Sequence, residues 1–86
     1  MTPEAEAVLH FEIGQVLREL AVRAVYETPP RAGYRRYAVW DTRGDSSRRV
    51  SEPGPHGQAK TDLVRLQTEA ILQLIKELAP DARAAD

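Results

Sequence analysis

The chain has 86 residues, no cysteine, one tryptophan and a formal net charge of −1, with 29% of its residues charged. One small domain is the most such a length supports, and its core is marginal unless a disulfide, a metal or a partner subunit reinforces it. The missing cysteines exclude disulfides, thiol nucleophiles and cysteine-ligated zinc, which leaves oligomerisation as the expected reinforcement.

The first element reads as a helix over about residues 3–24. Thr2 is placed to cap it, Pro3 suits the first helical position, and Glu4 and Glu6 face the positive end of the dipole. Leu9, Ile13, Val16, Leu17, Leu20 and Ala24 recur at helical spacing. Gly14 interrupts them and offers a place for another backbone to approach. Leu9, Phe11 and Ile13 also alternate with polar neighbours, so a short strand over residues 8–13 competes with the helix. The opening residues lack the basic start and apolar run of a secretion signal, and no stretch has the apolar length of a membrane span. A cytoplasmic, soluble protein is the expectation.

Three short strands are expected over about residues 25–51. Val25–Thr28 is stopped by Pro29 and Pro30, and Gly33 supplies a turn. Tyr34–Thr42 is the strongest strand. Its alternation puts Tyr34, Arg36, Ala38 and Trp40 on one face and Arg35, Tyr37, Val39 and Asp41 on the other. A turn at Thr42–Ser47 leads to Arg48–Ser51, and Pro53, Gly54, Pro55 and Gly57 then break regular structure.

The last helix spans about residues 58–78 and ends before Pro80, with a frayed tail over residues 80–86. Leu63, Val64, Leu66, Ala70, Ile71, Leu74, Ile75 and Leu78 occupy half its circumference, more than one small sheet covers. This width and the small size predict a homodimer, with Leu63, Leu66, Ala70, Ile71, Leu74, Ile75 and Leu78 as its interface. The predicted fold class is α+β, in the order α-β-β-β-α, with two helices packed on a short antiparallel three-stranded sheet. Double-stranded-RNA-binding domains share this order, but their last helix opens on a basic run, where this chain offers only Lys60 and His56. No family membership is read from it.

Charge is unevenly spread. Residues 1–28 hold two arginines against five glutamates, residues 31–49 six arginines against two aspartates, and residues 50–86 four basic against six acidic groups. Catalysis finds little support. His10 and His56 are the only histidines, no serine sits in a G-x-S-x-G elbow, and there is no phosphate-binding glycine loop. Asp41 and Asp45, beside arginines, read as turn or ion-pair aspartates. Arg43-Gly44-Asp45 spells an adhesion signal but has the composition of an ordinary strand-connecting turn. No catalytic residue, metal or cofactor is expected.

What remains is the arginine–aromatic segment. Arg35, Arg36, Arg43, Arg48 and Arg49 could contact phosphates while Tyr34, Tyr37 or Trp40 stack on bases. They could instead meet an acidic protein surface, or the aromatics could pack on the helices inside a solvated arginine rim. The favoured reading is a non-enzymatic accessory or regulatory protein that binds an anionic partner, nucleic acid first, through a central arginine-rich hairpin. The alternative is a regulator, such as an inhibitor, antitoxin-like or phage-encoded factor, that contacts an acidic surface of a larger protein.

Overall fold

A computed structural model describes residues 1–26 and 35–79. Helix α1 spans Pro3–Glu19, strand β1 Leu20–Val25, β2 Arg36–Asp41, β3 Arg48–Arg49, and helix α2 His56–Leu78. The strands form one antiparallel sheet in the order β1-β2-β3. The expected α+β class and its element order are what the chain adopts.

The start of α1 follows from its sequence. Thr2 is extended, its hydroxyl oxygen accepts the Ala5 N–H at 3.1 Å, Pro3 needs no donor, and Glu4 and Glu6 lie in the first turn. Residues 8–13 are helical, which removes the competing strand. The helix stops at Glu19, not near residue 24, and β1 follows without a loop, so the first strand is Leu20–Val25 in place of the expected Val25–Thr28, whose last two residues lie outside the described ones. Helical spacing runs on through Leu20 and Ala24, but two other forces win. The backbone of Leu20–Val25 pairs along six residues of β2, and two valines favour the strand. The Glu19 carbonyl, which a continuing helix would engage, instead accepts the Thr42 N–H at 2.9 Å and the Thr42 hydroxyl at 3.2 Å. Tertiary partners thus satisfy the helix end.

The register pairs Leu20 with Asp41, Ala21 with Trp40, Val22 with Val39, Arg23 with Ala38, Ala24 with Tyr37 and Val25 with Arg36. On the other side, Trp40 pairs with Arg49 and Asp41 with Arg48. The third strand is shorter than the expected Arg48–Ser51. Beyond it the Val50 N–H still donates to the Val39 carbonyl, but the Val39 N–H turns to the Ser51 hydroxyl at 2.8 Å. A side chain thus completes the ladder where the strand backbone bends away. Tyr37 and Gly54 then exchange a backbone pair at 2.8 and 2.9 Å. Gly44, in the β2–β3 turn, has φ of 85°, a conformation that suits glycine.

The core is small. Val16, Leu20, Ala38, Val39, Ala59 and Ala79 are its buried hydrophobic residues, and Val16 and Val39 are the largest side chains wholly out of solvent. Leu17, counted in the apolar stripe, is 55% exposed. Gly14 admits no foreign backbone among the described residues. A Cβ there would lie 3.1 Å from Nη1 of Arg18, in its own helix. The expected first turn at residues 29–33 and the tail from residue 80 lie outside the described residues.

Candidate nucleic-acid interface

In an antiparallel pair, directly opposed residues share a face. The register therefore sorts the sheet into two sets. Leu20, Val22, Ala24, Tyr37, Val39, Asp41 and Arg48 lie on one face. Ala21, Arg23, Val25, Arg36, Ala38, Trp40 and Arg49 lie on the other.

Helix α2 covers the first face. Leu20, Asp41, Arg48 and Val50 line a groove of about 290 Å³ with Leu66 and Ala70 of α2. The Tyr37 ring meets the His56 ring edge-on, with centroids 4.7 Å apart and planes at 78°. Helix α1 packs along α2 and touches the sheet chiefly through β1, the strand it runs into. Both helices therefore lie on one side, and among the described residues no helix covers the face that carries Trp40, although Ala38 on it is wholly out of solvent.

This division separates the expected site residues. The register puts Arg36, Trp40 and Arg49 on the second face, but Arg49, on the edge strand, also lines a cavity of about 470 Å³ with Asp62 and Arg65 of α2. Tyr37 and Arg48 belong to the helix side, where Tyr37 is half-buried and Arg48 exposed. Arg35 is exposed just before β2, and Tyr34 lies outside the described residues. Arg43 is committed elsewhere. Its Nε donates to Oδ1 of Asp41 at 3.1 Å, its Nη2 to Oδ2 at 3.0 Å, and its backbone N–H to Oδ1 at 2.9 Å. This two-pronged pair is the strong geometry for arginine and carboxylate. The Arg43 side-chain hydrogen bonds hold the Asp41 carboxyl below its ordinary range against the opposing effect of burial, aided by the Arg43 amide and by the charges of Arg43 and Arg48. Hydrogen bonding to Asp41 in turn raises the Arg43 guanidinium.

The sequence reading missed Arg23. Placed inside an expected helix, it looked like an ordinary polar-face residue. As a strand residue it is exposed, sits opposite Ala38 and joins the uncovered face. The signal that could have found it is the alternation Ala21-Arg23-Val25 against Leu20-Val22-Ala24, which has period two. Arg23 on β1 and Arg49 on β3 then flank the strand of Trp40, Arg23 opposite Ala38 and Arg49 opposite Trp40, and two strand spacings with this two-residue offset put their backbones about 12 Å apart. The sheet positions on this face carry no acidic residue. Arg23 and Arg49 form no ion pair among the described residues. The Trp40 indole Nε1–H is buried without a hydrogen-bond acceptor among the described residues, although the residue as a whole is only half-buried. Such an unsatisfied donor costs about 1–3 kcal/mol.

The residues expected at a dimer interface also divide. Leu66 and Ala70 face the sheet across the groove, so they are not free for a partner. Leu63, Ile71, Leu74, Ile75 and Leu78 are half-buried, while Val64 beside them is 63% exposed. Among the described residues no helix is long and apolar enough to cross a membrane, and no three metal-binding side chains cluster. Comparison with family models, with curated proteins and with solved structures finds no match.

Proposed function

We propose that this chain is a non-enzymatic accessory or regulatory protein that binds nucleic acid through the uncovered sheet face. The observation that carries the reading is a single one: both helices pack on one side, and the register places an arginine of each of the three strands on the face that carries Trp40. A face of one charge sign attracts a phosphate backbone, whereas the acidic segments elsewhere repel it and so direct contact to this side. Trp40 on the central strand, with cations on both neighbouring strands, suits a base stacked between two phosphate contacts. Single strands are bound in this way. The histidines give no contrary sign: His10 is an exposed residue of α1, and His56 is occupied against Tyr37.

The test is a titration of labelled single- and double-stranded oligonucleotides at two salt concentrations, comparing the wild type with Arg23→Glu/Arg49→Glu. The expected result is binding at low salt that weakens steeply as salt rises and is lost in the double variant. Absence of binding at low salt, or binding indifferent to the reversal, overturns the reading and leaves an acidic protein surface as the better partner.

A further inference from the structure

We infer that the cavity between the β3 edge and α2 receives the nucleotide next to the base on Trp40, and that it favours a base with an exocyclic amino group. The inference rests on the nucleic-acid reading and adds to it a path for the strand and a base preference. The Val50 N–H donates to the Val39 carbonyl. Trp40 and Arg49 are therefore the non-hydrogen-bonded kind of antiparallel pair, in which opposed side chains lie closest. The same alternation turns the backbone N–H and carbonyl of Arg49 away from β2, to the outer edge of the sheet. Arg49 thus belongs both to the Trp40 face and to that edge, where it lines the cavity of about 470 Å³ with Val50, Ser51, Glu52, Asp62 and Arg65. Sites for small molecules have volumes of roughly 300–1,000 Å³, so one nucleotide is accommodated as the strand leaves the sheet over β3.

The lining has the mixed chemistry that one nucleotide requires. Arg49 from the sheet edge and Arg65 from α2 bring guanidinium donors to a phosphate. The Arg65 side chain is 54% exposed, and its contacts to Glu69 at 3.4 Å and to Asp62 at 3.8 Å are surface pairs. Such pairs contribute little, so they yield to a phosphate. The Ser51 hydroxyl oxygen accepts the Val39 N–H, which leaves its proton to donate. Glu52 is exposed and forms no ion pair among the described residues. Glu52 and Asp62 repel a second phosphate, but as pure acceptors they suit the N–H groups of a base. A carboxylate accepts from the cytosine amino group, whereas thymine presents an acceptor oxygen at the same position.

Titration of the full chain with oligodeoxycytidylate and oligodeoxythymidylate of equal length tests this. The wild type should bind the cytidylate about fivefold tighter or better. Glu52→Ala should abolish that preference with an unchanged far-ultraviolet circular dichroism spectrum, because the residue is exposed. Arg65→Ala should weaken the binding of both strands and lower the log–log salt slope by about one. Lys76→Ala, in the last turn of α2 and also exposed, should leave affinity and slope unchanged. Equal affinity of the wild type for the two strands, a preference that survives Glu52→Ala, or an Arg65→Ala variant that behaves like Lys76→Ala overturns this inference and leaves the nucleic-acid reading standing. A wild type that binds neither strand overturns both.

Discussion

Arg43 folds back onto Asp41 two residues before it, closing the β2–β3 turn with two guanidinium hydrogen bonds and one from the backbone. Asp41 is 6% exposed and lies on the helix side of the sheet, so the carboxylate depends on Arg43 to offset its lost hydration. The pair is structural, and it removes from the cationic surface the arginine that sequence alone placed at the tip of the hairpin.

The pair makes stability dependent on pH. The folded pKa of Asp41 lies below the ordinary value of 3.8. A depressed carboxyl contributes stability that is full above the unfolded value and disappears as pH falls through the folded one. Thermal melts should therefore show no pH dependence from this group between neutrality and the ordinary carboxylate range, where its stabilisation is full, and a decline below it. Asp41→Asn should remove that part of the decline. It should also cost about 1–2 kcal/mol at neutral pH, a figure reduced because Arg43 remains partly in water.

Ser51 should matter more than an ordinary loop serine. Its hydroxyl is the acceptor for the N–H of the fully buried Val39. Ser51→Ala leaves that amide without a partner, at a cost of about 1–3 kcal/mol. Hydrogen exchange should locate the effect, with the Val39 amide losing protection more than its neighbours in β2.

Two arginine substitutions should differ in kind. Arg23→Ala removes an exposed cation from the uncovered face, so it should lower the salt dependence of oligonucleotide binding by about one on the log–log slope. Its melting temperature should hardly move. Arg43→Ala should do the reverse, lowering the melting temperature while leaving the slope unchanged, because its charge is already spent on Asp41.

Trp40→Ala should weaken single-strand binding by about 1–3 kcal/mol if a base stacks on the ring. Its cost in stability should stay below the roughly 3–5 kcal/mol of a wholly buried aromatic, since Trp40 is only half-buried. Trp40→Phe keeps a stacking ring and loses the indole N–H. Binding that survives in the phenylalanine variant and fails in the alanine variant would assign the contribution to stacking, and equal loss in both would assign it to the N–H.

The candidate site was partly legible beforehand. The pleat alone puts Arg36, Ala38 and Trp40 together, because side chains alternate along any strand. It cannot say which side the helices take, because each face of β2 carries both aromatic and cationic residues. The choice was made by packing: Leu20 and Val50 joined Leu66 and Ala70, and Val39 on the same face is wholly out of solvent, which left the Trp40 side without a helix.

Local chemistry by itself determined the capped start of α1, the alternation of β2, the glycine in its turn and the long amphipathic α2, for each rests on neighbours within a few residues. Tertiary structure decided the rest. Residues 20–25 satisfy helical and strand spacing alike, and pairing with β2 together with the Thr42 bonds to Glu19 chose the strand. That choice moved Arg23 to the open face. Arg43 and Asp41 are neighbours in sequence, but it is the burial of Asp41 on the helix side, a tertiary outcome, that makes its carboxylate depend on Arg43.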